Sequence, residues 1–229
     1  ADIDPGRAET EAAAIGGGTN AIAIDVTDPG SWASVRSAIE ASHGPLDILC
    51  NNAGIASPPA LLDETDPAVF ARVLAVNVTG VYHGIAAFAP GMRARQSGHI
   101  VNTSSVNGLL AHGGFGAYSA SKFAVTGMSD ALRMELAPYG VGVSTLYPGL
   151  TRSYMSLSPD AAAQMDAAMR ENMEARMMAP LWLGRAVARA VETNSHHIIT
   201  HPVHKDELVR RQGELLAAFG EPAQPGYVG

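Results

Sequence analysis

The sequence predicts an α/β fold in three layers: a doubly wound, mostly parallel sheet flanked by helices on both faces. Two observations predict it. Short apolar runs at 21–26, 46–51, 99–104, 141–147 and 197–200 alternate with segments of helical periodicity. Asp25, Asn52, Ser105 and Pro148 each come at or just after such a run, at the strand ends where these sheets bind ligands. A length of 229 residues with 47% apolar side chains is enough for one sizeable core. We therefore expect one domain over 1–229, ending in a loose Pro/Gly-rich tail at 220–229.

The elements follow in order. Residues 7–15 are rich in Ala and Glu and predict a helix, which Gly16, Gly17 and Gly18 end. That glycine run follows a helix and precedes a strand, the reverse of the order a phosphate loop needs. Residues 21–26 predict a buried strand, and Thr27-Asp28-Pro29 opens a helix through 41. Gly44-Pro45 turns the chain into a second buried strand, 46–51, with Cys50 as core filler. Asp66-Pro67 opens a long helical stretch to about 96, expected to break or bend near Pro90. A third strand spans 99–104, a glycine-rich loop 108–116 and a helix 116–138. The strand 141–147 closes at Pro148-Gly149. A methionine-rich helix at 159–178, a helix at 182–194, a short strand at 197–200 and a helix at 203–219 complete the chain.

Bulk properties exclude several classes. A net charge of −7 disfavours nucleic acid or an anionic membrane surface as partner. No apolar run reaches the ~20 residues of a membrane span, so no membrane association is expected. The single cysteine excludes an internal disulfide framework and fits a reducing cytoplasm. His196, His197, His201 and His204 cluster without a cysteine, and we read them as core or interface residues rather than metal ligands.

The chemistry centres on Tyr118 and Lys122. A four-residue step places both side chains on one helix face. An ammonium beside a phenol favours the phenolate and so predicts a lowered tyrosine pKa. The hydroxyl of Ser104 or Ser105, at the end of the strand upstream, can hold a carbonyl or alcohol oxygen. Together they make a proton-transfer site for interconverting an alcohol and a ketone.

Asn51-Asn52-Ala53-Gly54, Asn77, Ser105, Tyr118-x-x-x-Lys122 and Pro148-Gly149, in this order and spacing, resemble the short-chain dehydrogenase/reductase family. The resemblance runs to about Phe219. It implies a Rossmann-type sheet, a nicotinamide cofactor and hydride transfer at a carbon bearing oxygen. Tyr118 then matches the general acid/base, Lys122 the residue that lowers its pKa and meets the nicotinamide ribose, and Ser105 the substrate-oxygen serine. Asn77 matches the helix asparagine that holds a relay water. Asn52, Ala53 and Gly54 match the loop beside the adenosine ribose, and Asp25 and Val26 the adenine-contacting pair. Pro148, Gly149 and Thr151 match the nicotinamide turn. Asp2 matches the acid that bonds both adenosine ribose hydroxyls, which implies NAD over NADP.

The family's substrate lid falls at 154–195. Its methionines suit an adaptable apolar pocket. Asn107, Leu150, Tyr154, Met155 and Leu157 are the expected substrate-facing residues. Few cations line the lid, so a hydrophobic secondary alcohol or ketone is the expected substrate. An NADPH-dependent 3-oxoacyl-carrier reductase and a non-catalytic NAD-sensing protein are the alternatives. A homodimer or homotetramer is expected, through the helices bearing Asn77 and Tyr118 and the last strand and helix. The family's first strand, pyrophosphate loop and following helix have no counterpart in the sequence. The resemblance therefore implies about 35–40 further residues ahead of Ala1.

Overall fold

The computed structural model describes residues 1–153, 155 and 166–220. Tyr154, Leu157 and Met165 of the expected lid, and the tail from 221, lie outside them. Three helices start by one device, an Asp-Pro pair. Asp4, Asp28 and Asp66 each accept a backbone N–H of the first turn, and Pro5, Pro29 and Pro67 sit where no N–H is needed. They open α1 (Pro5–Ile15), α2 (Pro29–His43) and α3 (Pro67–Leu74). Gly16 and Gly44, both at positive φ, end the first two.

The sheet has four strands: β1 (Ile48–Asn51), β2 (His99–Thr103), β3 (Gly142–Tyr147) and β4 (His197–Ile199). They pair in that order and every pairing is parallel. The carboxyl ends of all four therefore lie along one edge. Ile100 and Val143 point to one face, into a core with Trp32 and Val35 of α2, Phe88 and Met92 of α4 (Gly80–Arg95), and Leu132 and Leu136 of α5 (Gly116–Leu136). Val101 and Leu146 point to the other, against Ala190 of α7 (Pro180–Glu192) and Ile198. The expected three layers thus follow from the two-residue alternation of the strands. Two further helices, α6 (Ala167–Arg176) and α8 (Lys205–Ala217), lie in the C-terminal third.

Four expectations change. The run 21–26 forms no strand: Ala23 makes one parallel bridge to Asp2 and only Ile24 is buried. A ladder cannot extend beyond its partner, and the partner segment turns into α1 at Pro5. The second strand is not buried on both faces. Leu49 and Asn51 point inward while Ile48 and Cys50 are exposed, so Cys50 is not core filler.

Pro90 does not break its helix. It lies on the solvent side, where water can satisfy the carbonyl its missing N–H leaves. The irregularity falls instead at a π-helical turn, Ala75–Thr79, between α3 and α4. Pro67–Arg95 is consequently one helical rod, long and apolar enough by composition to cross a membrane, although its apolar residues form no unbroken run of that length. Its buried residues, Val73, Val81, Phe88 and Met92, pack as those of a core helix do.

Candidate active site

Three loops leave the carboxyl edge of the sheet and converge on α5. A buried polar ladder sets the first. Asn51 Nδ2 donates to Asn102 Oδ1 at 2.8 Å, and Asn102 Nδ2 donates to Ser129 Oγ of α5 at 3.0 Å. This fixes the end of β1, from which Asn52, Ala53 and Gly54 emerge; Thr103 Oγ1 donates to Asn52 Oδ1 at 3.1 Å. Asn77 holds the loop next. Its Oδ1 accepts Ile55 N–H at 2.8 Å, and its Nδ2 donates to Ile55 O and to Ser121 Oγ at 2.9 and 3.0 Å. A buried amide at the π-helical turn therefore ties the loop after β1 to α5.

Gly54 does not have the positive φ of an ordinary turn glycine. Its role is close approach. A Cβ there would lie 3.3 Å from Asn77 Oδ1, 3.5 Å from Lys122 Nζ and 3.8 Å from the Met155 methyl carbon. Met155, expected against substrate, thus reaches the Asn77–Lys122 side of the cleft.

The second loop separates the two adjacent serines. Ser104 Oγ donates to Lys122 O at 2.9 Å and lies 3.0 Å from Thr126 Oγ1, so it binds the loop to α5. Ser105 Oγ donates to Pro148 O at 3.3 Å and accepts Asn107 N–H at 3.2 Å, and it lies near enough to the Tyr118 phenol to lower its pKa. Asn107 braces this loop: its amide contacts Ser119 Oγ and its Oδ1 lies 3.1 Å from His112 Nδ1. Gly108 lets the loop seat. A Cβ there would come within 2.1 Å of Ser104 Oγ and 2.7 Å of Lys122 O, a backbone atom that cannot step aside. Gly108→Ala is expected to cost about 1–3 kcal/mol. It should lower the thermal midpoint by several degrees, with a matching fall in turnover, measurable by thermal denaturation and initial rates.

Lys122 is buried, and its Nζ donates to Thr103 O at 2.9 Å, 5.6 Å from the centroid of the Tyr118 ring. Burial pulls the ammonium down to about 8. Burial also pushes the Tyr118 phenol above its ordinary value, and the Ser105 hydrogen bond offsets part of that rise. The expected lowering of the tyrosine pKa is therefore not found. Both groups share a dry pocket in which desolvation disfavours either charge.

The third loop is the turn after β3. Pro148 O accepts Val106 N–H at 2.9 Å, and Thr151 Oγ1 donates to Gly149 O at 3.1 Å. Leu150 is exposed, and Met178 N–H donates to its carbonyl at 3.0 Å. Gly149 N–H donates to His201 Nδ1 at 2.9 Å. Sequence reasoning counted His201 only among clustered histidines; the glycine it packs against lies 52 residues away. His196 and His197 stack at 4.0 Å, and His196 Nε2 lies 3.2 Å from Asp130 Oδ1.

The remaining expected residues sit apart, near the start of the chain. Asp25 Oδ1 accepts both Thr27 N–H and Thr27 Oγ1–H, bonds that hold its carboxyl below the usual value. Val26 packs at the edge of the core, and its carbonyl accepts the Trp32 indole N–H. Asp2 Oδ1 accepts Asp4 N–H at 2.9 Å and pairs with the Arg7 guanidinium at 3.2 Å. The described residues contain no G-x-G-x-x-G turn of the kind that cradles a pyrophosphate.

Residues 3–164 match the model of the short chain dehydrogenase family. The chain belongs to the short-chain dehydrogenase family. This member is 34% identical over 155 residues to the 3-alpha-(or 20-beta)-hydroxysteroid dehydrogenase of Mycobacterium tuberculosis, covering 68% of the chain and 59% of that protein. It is 32% identical over 195 residues to the cyclopentanol dehydrogenase of Comamonas testosteroni, 85% of the chain and 76% of the relative. The chain thus spans about three fifths of the hydroxysteroid dehydrogenase's length. Among solved structures, a short-chain dehydrogenase from Novosphingobium aromaticivorans superposes with a TM-score of 0.85 at 32% identity, over 99% of this chain and 80% of that one. One from Burkholderia phymatum, in complex with NAD, gives 0.83 at 26% identity, over 99% and 87%.

Proposed function

We propose that this short-chain dehydrogenase interconverts a hydrophobic secondary alcohol and its ketone, with a nicotinamide cofactor as hydride partner. One observation carries the reading: the Tyr118 phenol lies close enough to Ser105 for that hydroxyl to lower its pKa, beside a buried Lys122 whose Nζ lies 5.6 Å from the same ring. A C–O group placed there meets a hydrogen-bonding hydroxyl and a proton donor together. The bound cofactor supplies a hydride acceptor or donor. For oxidation, the Tyr118 phenolate takes the alcohol proton as the carbon loses hydride; for reduction, the phenol returns a proton to the oxygen. Ser105 Oγ–H, which donates to Pro148 O at 3.3 Å, would turn from that carbonyl to hold the substrate oxygen.

Tyr118, Lys122, Pro148, Gly149 and Thr151 would hold the nicotinamide half of the cofactor. The bare backbone of Gly54 fits this, since a Cβ there would press on the Asn77 amide at 3.3 Å and fill the space beside Lys122 Nζ. Asn52, Ala53, Gly54, Asp25, Val26 and Asp2 would meet the adenosine half. Asn77 acts by fixing the loop. Its side chain is committed to Ile55 and Ser121, so a relay water would meet the backbone of the π-helical turn. The acid at Asp2 favours NAD. A second reading, NADP, is supported by Arg7 at 3.2 Å from Asp2, although Arg7 also pairs with Asp4.

The two curated relatives are named for a hydroxysteroid and cyclopentanol, both apolar secondary alcohols, which supports the substrate class. Exposed Tyr82 on α4 and Met134 on α5 support self-association through these helices. The single cysteine supports a cytoplasmic location. The deciding experiment is a panel of alicyclic and steroid secondary alcohols with NAD and with NADP, followed by cofactor absorbance. Reduced NAD should accumulate faster than reduced NADP; no reduced cofactor with any alcohol would overturn the reading.

A further inference from the structure

We propose that His201 is a positioning residue that holds the reactive cleft together from behind, an inference resting on the dehydrogenase reading above. The Pro148–Gly149 peptide is gripped from both sides. Ser105 Oγ–H donates to its carbonyl at 3.3 Å, and its own N–H donates to His201 Nδ1 at 2.9 Å. One planar amide therefore links the substrate-oxygen serine to an imidazole delivered by β4. Peptide planarity makes the link stiff, so a shift of the ring moves the acceptor that orients the Ser105 hydroxyl.

The contacts also fix the state of the ring. Nδ1 faces a backbone N–H that can only donate, and the Thr200 hydroxyl lies 2.9 Å away on the same atom. Nδ1 is thus an acceptor without a proton. Nε2 lies 3.3 Å from the Leu150 carbonyl, which can only accept, so Nε2 carries the hydrogen. His201 is a neutral imidazole locked in one tautomer, bonded to two consecutive residues of the turn. The fit is close: a Cβ on Gly149 would come within 2.7 Å of the His201 ring. The glycine of the turn and the histidine after β4 are one device, and the pairing explains why that position must carry no side chain.

The test separates acceptor from bulk. His201→Asn keeps an acceptor the same number of bonds from Cα as Nδ1; His201→Leu fills similar space without one. In the whole protein, His201→Leu should raise the cofactor KM and lower kcat, each by roughly ten- to hundredfold, because a misplaced reacting group is costly. His201→Asn should recover most of both. Equal damage from the two variants, or near-normal kinetics in His201→Leu, overturns the proposal.

Two readouts do not need turnover. Nitrogen NMR of the His201 ring should report the Nε2–H tautomer, and hydrogen exchange should show the Gly149 amide protected in wild type and His201→Asn but open in His201→Leu. An Nδ1–H tautomer or an unprotected Gly149 amide in wild type sinks the clamp even if the enzyme is active. A wild-type protein that oxidises no alcohol while passing both readouts sinks the dehydrogenase reading, and with it the catalytic purpose of the clamp.

Discussion

Tyr118→Phe is expected to lower kcat by about 10²–10⁴-fold, the usual loss when a general acid/base is removed, while cofactor affinity changes less than threefold. The substitution deletes one oxygen. The ring that lies near Lys122 stays, and Ser105 keeps its bonds to Pro148 O and Asn107 N–H. Steady-state rates with a cofactor fluorescence titration separate the two effects; near-normal turnover would remove Tyr118 from the chemistry.

The wild-type pH profile carries a sign. Burial places the Tyr118 pKa above its ordinary value of 10.0, so the phenol is protonated at neutral pH. Ketone reduction, which needs that proton, should persist at pH 7 and fall in alkali. Alcohol oxidation, which needs the phenolate, should rise into the alkaline range. An oxidation rate already at its plateau at pH 7 would mean that the cofactor or substrate restores the phenolate that the pocket itself disfavours.

Much of this site was legible because short polar signals act locally. Each Asp-Pro pair starts a helix by capping its own first turn, so Asp28-Pro29 and Asp66-Pro67 could be read without knowing what packs on them. The step from Tyr118 to Lys122 lies within one helix for the same reason. Partners set by tertiary packing were not legible. Asn77 was found as a residue, yet the π-helical turn that aims its amide at Ile55 arises between two helices that each look regular in sequence. Cys50 reads as core because its neighbours are apolar, while its exposure depends on which face of β1 is covered. The direction of the Tyr118 shift could not be read from spacing either. An adjacent cation and a dry pocket pull oppositely, and only the fold reveals the dryness.

Lys122→Met should abolish most turnover and, at the same time, remove a pH-dependent weakness from the fold. The ammonium is 3% exposed and titrates near 8 instead of 10.5. Holding it charged therefore costs the native state about 3 kcal/mol at pH 7, at 1.36 kcal/mol per pKa unit. Its folded pKa lies below its unfolded one, so between about 8 and 10.5 the unfolded chain binds more protons and stability from this group rises with pH. Below that window the full cost is present. Cys50, Tyr118 and Tyr147 have raised values and work in the opposite direction above about 9, so the informative quantity is the wild-type-minus-variant difference. Wild type should gain about 1 kcal/mol on Lys122→Met between pH 7 and pH 9, read from urea denaturation at each pH. Loss of the bond to Thr103 O offsets part of the variant's gain at every pH alike, about 1–3 kcal/mol, and leaves that difference intact. A parallel pair of stability curves would mean that Lys122 is not desolvated in solution. The expected pH-dependent difference with intact turnover would mean that the protein bears the cost of a buried cation for something other than this reaction.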